Sequence, residues 1–211
     1  MTSAREKSGA YLFLPDGPAV DVDSESLLQW VRVEHGGPLR SRVCVNMSLI
    51  LHCVDFMPTL NQRKNLKFPL VHVWNVVDLR QTHNFELAMH LETSVRNEEK
   101  IFYTDLNGFQ YIKRQSHDKL PLQGNVYPMP TGAFIQDASM RVNLLSAQPL
   151  GVASLQASTL HVFLDRRLDQ DDNRGMEQAM NDNIVTSNKF IIFFEAINNG
   201  PSSVNVCLIF K

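Results

Sequence analysis

Apolar residues occupy every second position in four stretches of the chain. In the clearest, residues 85–92, Phe85, Leu87, Met89 and Leu91 alternate with mostly polar neighbours. A period of two is typical of a β-strand that buries one face and exposes the other. The same alternation occurs at residues 43–49, 140–144 and 160–165. These four stretches are therefore predicted to be half-buried strands.

Short apolar runs and the turn signals between them complete the predicted fold. The runs at residues 11–14, 71–77 and 190–194 lack alternation and suit strands buried on both faces. Turn-forming residues punctuate the chain at 15–17, 36–38, 107–108 and 128–130. No stretch keeps a helical stripe for three turns. About eight to twelve short strands joined by polar turns predict an all-β, antiparallel β-sandwich.

The composition is that of an ordinary globular protein. Hydrophobic residues make up 44% of the 211 and charged residues 20%, which excludes a disordered chain. A chain of this length buries enough core to fold without a metal or disulfides. The formal net charge of −2 creates no field that would attract nucleic acid or an anionic membrane, so neither is expected as a partner.

The three cysteines form no metal-binding pattern. Cys44, Cys53 and Cys207 include no CxxC pair, and zinc-ribbon spacing is absent. Cys44 and Cys53 could bridge across a bend. Buried free thiols are the favoured interpretation, because unpaired cysteine is among the most buried residue types.

The targeting features disagree. No apolar core of a signal peptide follows the first seven residues, and no stretch approaches the ~20 apolar residues of a membrane span. As written, such a chain would stay in the cytosol. Asn46-Met47-Ser48, however, is a glycosylation sequon, and the predicted strand points Asn46 outward. Because a sequon matters only in the secretory pathway and often arises by chance, it decides nothing alone.

Six stretches of the chain, taken in order, resemble one known family. They are Ser-Gly-Ala-Tyr-Leu-Phe-Leu-Pro-Asp-Gly at 8–17, Asn-Val-Val-Asp-Leu-Arg at 75–80, Ile-Phe-Tyr-Thr-Asp-Leu-Asn-Gly at 101–108, Lys-Leu-Pro-Leu-Gln-Gly-Asn-Val-Tyr-Pro at 119–128, Ala-Gln-Pro-Leu-Gly-Val-Ala-Ser at 147–154 and Asp-Arg-Arg-Leu-Asp-Gln-Asp-Asp-Asn-Arg-Gly at 165–175. The chain is similar to the class II α-mannosidases of glycoside hydrolase family 38, of the Golgi α-mannosidase II type.

The resemblance implies where this chain lies in such an enzyme. Family members have an N-terminal α/β barrel, a small helical segment and then large β-sandwich regions, and this chain corresponds to the sandwich after the barrel. An incomplete sandwich of the galactose-mutarotase-like type is expected at residues 1–188, followed by a divergent apolar tail at 189–211. Apolar surface at residues 11–14 and 190–197 is then expected to face water and to leave the isolated chain poorly stable.

The resemblance also implies the chemistry of the parent enzyme. The family's barrel holds a zinc ion with two histidines and two aspartates, and it carries an aspartate nucleophile and a carboxylic general acid. Such enzymes trim α-1,3- and α-1,6-linked mannose from N-glycans in the Golgi lumen with retention, which requires two carboxyl groups about 5–5.5 Å apart. None of these groups can be assigned in this chain. It is therefore expected to bind no zinc and to be inactive alone.

Three residues correspond to family positions near the substrate. In the family, the tyrosine of Ser-Gly-Ala-Tyr-Leu-Phe-Leu-Pro and the arginine of Asp-Asp-x-Arg-Gly reach the substrate pocket; here they are Tyr11 and Arg174. The resemblance assigns both to substrate binding at one end of the sandwich, and Gly175 would let the backbone approach closely. Residues 176–179 are Met-Glu-Gln-Ala where the family has Leu-Gly-Gln-Gly, which puts that loop's conformation in doubt.

Other candidate residues have a structural interpretation. Asp171 and Asp172 are adjacent carboxylates in a polar loop, and we expect them to brace the turn or pair with a neighbouring arginine rather than to catalyse. The seven histidines are scattered without a metal-binding motif. Trp30 and Trp74 could stack on a sugar, but burial is the favoured interpretation.

Two alternatives to a mannosidase part remain open. The chain could be a non-enzymatic carbohydrate-binding or interaction module, or a gene-model fragment without a stable fold or function. An in-frame upstream sequence with the family's His-x-Asp zinc motif would indicate an enzyme. A true start at Met1 would favour a module.

Overall fold

The computed structural model describes residues 6–22, 28–57, 70–197 and 206–210. Within these ranges the chain forms β-strands joined by turns and two single-turn 3₁₀ helices, with no α-helix. The helices are Glu98–Lys100 and Leu122–Asn125. The strands are β1 (Leu28–Gly36), β2 (Arg40–Met47), β3 (Ile50–Met57), β4 (Leu70–Val77), β5 (Phe85–Thr93), β6 (Ile101–Asp105), β7 (Tyr111–Gln115), β8 (Tyr127–Met129), β9 (Gly132–Gln136), β10 (Met140–Ser146), β11 (Leu150–Ala153), β12 (Thr159–Arg167), β13 (Thr186–Ala196) and β14 (Val206–Phe210).

The strands form two sheets that pack face to face. In the described part of the chain, the large sheet has nine strands in the order β1-β2-β3-β4-β13-β10-β9-β6-β7, and the small sheet has five in the order β14-β5-β12-β11-β8. Every described pairing between neighbouring strands is antiparallel. The prediction of an all-β, antiparallel sandwich is confirmed.

The core lies between the sheets and is built from the alternating positions. Leu87, Met89 and Leu91 of β5 are at most 1% exposed, as the period of two predicts. They belong to one cluster with Val142 and Leu144 of β10 in the facing sheet. Burying such a side chain contributes roughly 1.5–3 kcal/mol relative to leaving it in water. In β5 the hydrophobic pattern therefore decides which face turns inward.

Strand β13 lies in the middle of the large sheet, between β4 and β10. Its residues Phe190, Ile192 and Phe194 are at most 7% exposed and belong to the core cluster. The expectation that this apolar run faces water is therefore wrong, because paired strands flank it and the small sheet covers its inner face. The proposed boundary between residues 188 and 189 falls inside β13. That the sequence diverges beyond it stays a prediction.

Cys44 and Cys53 form a disulfide between β2 and β3. The two residues lie directly opposite each other in the antiparallel pairing, and their Cα atoms are 4.1 Å apart. The interpretation of both as buried free thiols is therefore wrong. Residues that face each other across neighbouring strands have their Cβ atoms within bridging distance, a proximity that only the strand pairing creates.

Thiol counting tests the disulfide. One of the three cysteines is expected to titrate in the unfolded, unreduced protein, and all three after reduction. Replacing Cys44 and Cys53 with alanine is expected to lower the free energy of unfolding by about 2–3 kcal/mol, because the bridge restricts the unfolded chain. Cys207→Ala is the control for losing a cysteine outside the bridge. Three titratable thiols before reduction would contradict the pairing.

A pair of neighbouring isoleucines tests the placement of β13. Ile192 is fully buried in the core, whereas Ile191 is only partly buried on the outer face of the same strand. Ile192→Ala is expected to lower the free energy of unfolding by about 2–5 kcal/mol, because it leaves a cavity. The matched Ile191→Ala should cost less than half as much. If urea unfolding showed the same loss of unfolding free energy for both variants, the placement of Ile192 in the core would be contradicted.

Candidate functional site

The rim segment, residues 8–14, lies on the outer face of the small sheet. Val162 of β12 is a core residue, so the next residue, Phe163, points to the opposite face. The ring of Phe13 packs edge-on against Phe163, with ring centroids 4.9 Å apart. The rim segment is thereby attached to the sandwich on the side away from the large sheet.

The rim loop, residues 168–180, follows β12 and lies against the rim segment. Leu168 and Met180 exchange two backbone hydrogen bonds of 2.9 Å, which close the loop at its base. Gln170 Nε2 donates to the carbonyl oxygen of Ser8 at 2.9 Å. Two segments that are far apart in sequence therefore meet at one place on the small sheet.

Asp172 joins the rim segment to the rim loop. Its carboxylate is buried, with 4% of the residue exposed. Oδ2 accepts hydrogen bonds from the backbone N–H groups of Tyr11 (2.6 Å) and Leu12 (2.9 Å), and Oδ1 accepts one from that of Arg174 (3.2 Å). Burial by itself would raise the pKa of Asp172, but the N–H donors outweigh it and hold the pKa below its usual value.

The expectation that the paired aspartates brace the loop is confirmed. Asp172 holds three backbone N–H groups, and Asp171 Oδ2 accepts a hydrogen bond from the N–H of Asn173 at 2.8 Å. A carboxylate that already accepts three hydrogen bonds has little capacity left to attack a sugar or transfer its proton.

Arg166 of β12 holds the rim segment from its carbonyl side. Its Nη2 donates to the carbonyl oxygens of Gly9 (3.1 Å) and Leu12 (2.8 Å). Glu86, opposite on β5, balances the charge with Oε1 at 3.0 Å from Nη2. Burial raises the pKa of Glu86, and Arg166 only partly offsets this rise. Arg166 thus binds carbonyl oxygens of the rim segment, and Asp172 binds N–H groups of the same segment.

Gly9 is the point of close approach between the rim segment and the rim loop. A Cβ atom at Gly9 would lie 2.5 Å from Cβ of Asp172 and 2.6 Å from its backbone nitrogen. Contacts of this length do not occur between real Cβ atoms and their neighbours, so any larger residue must displace one of the two segments. The hydrogen bonds from the rim segment to Asp172 therefore depend on glycine at this position.

Tyr11 and Arg174 line the same open cavity of about 490 Å³. Tyr11 is 63% exposed, and the Arg174 guanidinium forms an ion pair with Glu6 through Nη2 and Oε1. The other lining residues are Glu6, Leu12, Phe13, Leu14, Gln123, Val126, Phe163 and Arg166. The structure thus brings Tyr11 and Arg174 to one cavity. Their contact with a substrate stays a prediction.

Gly175 adopts a backbone conformation that favours glycine, and its expected close approach to the substrate pocket stays a prediction. It is not among the residues lining the cavity, and no heavy atom of the described neighbours lies within 4 Å of where its Cβ would be. Its φ of +108° favours glycine, so the course of the backbone explains the residue. Two positions on, Glu177 adopts a φ of 56°. The loop keeps a left-handed residue there at a cost of roughly 1–2 kcal/mol.

Arg166, Glu86 and Gly9 belong to the site, and sequence reasoning missed them. Arg166 and Glu86 are paired across β12 and β5, which are far apart in sequence, so only the strand register relates them. Gly9 lies in one of the motifs that carry the family resemblance, but nothing local indicates that Asp172 approaches it.

No metal site is present in the described part of the chain. Within it, no group of three or more His, Cys, Asp or Glu side chains could hold a metal ion. His90 and His161 are buried and lie opposite each other on β5 and β12, with ring nitrogens 3.2 Å apart. His52 Nδ1 lies 2.7 Å from Asn75 Oδ1. Within the described ranges, these histidines are not part of a group that could hold a metal ion.

A second cavity, of about 590 Å³, opens on the outer face of the large sheet. Trp74 lines it, and its indole N–H donates to Ser187 Oγ at 2.7 Å. Arg42 donates two hydrogen bonds to Asp55, of 2.5 and 2.8 Å, and lowers its pKa. Trp30, on the edge strand β1, is 43% exposed, so the favoured burial is wrong for it. An edge strand leaves its outward side chains without neighbours on one side.

Asn46 lies near the end of β2, and its amide is at the surface. Its Nδ2 donates to Gln29 Oε1 at 2.6 Å in an exposed hydrogen bond. The outward direction predicted for Asn46 is therefore confirmed, and its glycosylation stays a prediction. None of the helices in the described ranges is long and apolar enough to cross a membrane.

The fold, the rim segment and the rim loop define a class of protein. It is an all-β sandwich domain that presents polar side chains from two segments on one outer face. The chain belongs to glycoside hydrolase family 38. The family model described as "Glycosyl hydrolases family 38 C-terminal domain" matches residues 1–174. The family resemblance predicted from the six motifs is confirmed, and this chain is a C-terminal domain of α-mannosidase II-like proteins.

Known α-mannosidases match nearly the whole chain. The protein named alpha-mannosidase 2 from Homo sapiens is 45% identical over 194 residues, which is 92% of this chain and 16% of that protein. Alpha-mannosidase 2 from Drosophila melanogaster is 42% identical over the same shares. The chain therefore spans 16% of the length of these curated relatives.

A solved structure supports the fold. An alpha-mannosidase from Enterococcus faecalis V583 superposes with a TM-score of 0.56 over 86% of this chain and 25% of that one. Its sequence is only 8% identical, so the likeness concerns the fold alone.

Substitution of Gly9 tests the contact with Asp172. Gly9→Ala is expected to lower the free energy of unfolding by about 1–3 kcal/mol, because the added methyl must push the two segments apart. Gly124→Ala is the matched control, since its nearest neighbour would be 3.4 Å away, at Leu120. Equal midpoints for Gly9→Ala and the unchanged chain in thermal or urea unfolding would show that the approach is looser than described.

Proposed function

We propose that this chain is the post-catalytic portion of a retaining α-mannosidase that trims α-linked mannose from N-glycans. Its part in that activity is to supply Tyr11 and Arg174 to the substrate pocket. One observation carries the proposal: the two residues come from distant segments, line one cavity and are held there by a single buried carboxylate, Asp172. Membership of family 38 supports the class of activity.

The exposed ends of the two side chains suit a sugar ligand. A phenol can donate to and accept from a mannose hydroxyl, and a guanidinium fork can bind a hydroxyl and a carboxylate at once. Glu6, the present partner of Arg174, is itself mostly exposed. Because exposed ion pairs contribute little, Arg174 can exchange this partner for a substrate or a catalytic carboxylate at small cost.

The bond-breaking groups belong elsewhere in the parent enzyme. Retaining hydrolysis needs a nucleophile and a general acid at about 5–5.5 Å. In the rim loop, Asp172 is occupied by backbone N–H groups and Asp171 braces its own turn. The described residues also offer no ligand set for zinc. On its own, the chain is therefore expected to position substrate without cleaving it.

The proposed compartment is the Golgi lumen within the secretory pathway. A disulfide between Cys44 and Cys53 is stable in an oxidising lumen and rare in a reducing cytosol. The surface position of Asn46 makes the sequon Asn46-Met47-Ser48 accessible to glycosylation in the same pathway. Both features support lumenal folding.

A non-enzymatic carbohydrate-binding module is the second candidate, and the cavity beside Trp74 favours it. An indole with a carboxylate and an arginine nearby can stack on one face of a pyranose and bind its hydroxyls. Glycan titration separates the two functions. Binding that is lost in Trp74→Ala but kept in Arg174→Ala would support a module.

Turnover measurements test the mannosidase proposal. The isolated chain is expected to show no hydrolysis of an aryl α-mannoside, with or without added zinc. In a full-length family 38 enzyme carrying this segment, Tyr11→Phe and Arg174→Lys are expected to reduce kcat/KM about 10- to 1,000-fold, because each removes a positioning contact to substrate.

Matched variants control for general damage. Tyr111→Phe and Arg80→Lys make the same chemical changes away from the first cavity and should leave kcat/KM within about twofold. Inhibitor-sensitive turnover that co-purifies with the isolated chain would overturn its proposed inactivity. Unchanged kcat/KM in Tyr11→Phe and Arg174→Lys would overturn the assignment of the site.

A further inference from the structure

We propose that Asp172 is a positioning residue that places Tyr11 and Arg174 together in the substrate pocket. The inference rests on the proposed function of these two side chains and names the group that orients them. Asp172 is the residue whose carboxylate touches the backbone of both segments. Its Oδ2 binds the N–H of Tyr11 at 2.6 Å, and its Oδ1 binds the N–H of Arg174 at 3.2 Å.

The connection through Asp172 is stiff for a physical reason. A buried carboxylate must satisfy its oxygen atoms with donors, and here the donors are backbone N–H groups that cannot rotate away as side chains do. Movement of the rim segment away from the rim loop would break the hydrogen bonds that Asp172 accepts from Tyr11 and Leu12. The position of Tyr11 relative to Arg174 therefore depends on this one side chain.

A second set of contacts supports the same rim segment from the other side. Arg166 binds the carbonyl oxygens of Gly9 and Leu12, so it fixes the height of the segment above the small sheet. It has no described contact with the backbone of Arg174. Arg166 thus holds the rim segment, which carries Tyr11. Asp172 contacts the backbone of both Tyr11 and Arg174.

Replacement of Asp172 by asparagine tests the inference with little change of shape. Asparagine keeps one oxygen and replaces the other by an NH₂ donor, which would face a backbone N–H instead of accepting from it. Asp171→Asn is the matched control, because Asp171 has the same charge one residue earlier and its described hydrogen bond lies within its own turn, from the N–H of Asn173.

The first measurement is amide hydrogen exchange of the chain. In Asp172→Asn, the N–H groups of Tyr11 and Leu12 are expected to exchange on the order of tenfold faster or more. In Asp171→Asn they should be unchanged. Core amides such as that of Leu144 report global unfolding and should be unaffected in both. Equal exchange at Tyr11 in the two variants would overturn the inference.

The second measurement is turnover by a full-length family 38 enzyme carrying this segment. Asp172→Asn is expected to reduce kcat/KM on the order of 10- to 100-fold, since displacement of a positioning group by about 1 Å has effects of that size. A double-mutant cycle with Tyr11→Phe separates positioning from general damage. If Asp172 acts through Tyr11, Asp172→Asn should reduce kcat/KM by a smaller factor in the Tyr11→Phe background than in the unchanged enzyme. Independent effects of the two substitutions on kcat/KM would contradict positioning.

Gly9→Ala provides a second variant should Asp172→Asn fail to fold. It pushes the rim segment away from Asp172 without altering the carboxylate, Tyr11 or Arg174, and it is expected to show the same kinetic defect. Its failure to do so would overturn the inference. If Tyr11→Phe and Arg174→Lys themselves leave turnover unchanged, the proposed function fails, while amide exchange still decides whether Asp172 holds the two segments.

Discussion

The buried carboxylate of Asp172 joins the rim segment to the rim loop, and these two segments form the candidate site of this domain. A charged group removed from water needs hydrogen-bond donors, and backbone N–H groups from both the rim segment and the rim loop supply them. The two segments are therefore held together by a requirement of solvation rather than by shape alone. Since Tyr11 and Arg174 lie directly on these segments, the same requirement brings their side chains to one cavity.

The sandwich beneath supplies the rigid support. The small sheet turns Leu87, Met89 and Leu91 toward the core and keeps Glu86 on its outer face, where Glu86 pairs with Arg166 of the neighbouring strand. Arg166 then binds the rim segment. A rim anchored to paired strands moves less than one carried by free loops, which is the property that substrate positioning requires.

Much of the fold follows from local pattern. The alternation at residues 85–92 predicted strand β5 and its inward face, because the period of two is a property of the extended backbone itself. The family motifs at residues 8–17 and 165–175 identified the two segments of the site. The Cys44–Cys53 disulfide and the central place of β13 were not predictable in this way. Both depend on which strands become neighbours, and local periodicity carries no information about strand order.

The sequence by itself determined that this protein is a β-sandwich of family 38 and that Tyr11 and Arg174 are its candidate substrate contacts. Only the tertiary structure decided that Asp172 joins their backbones, that Gly9 must be glycine for this contact, and that Gly175 adopts a φ of +108°. The reason is physical. Strand character is encoded in neighbouring residues, whereas a buried charge is satisfied by groups from whichever segments the completed fold brings beside it.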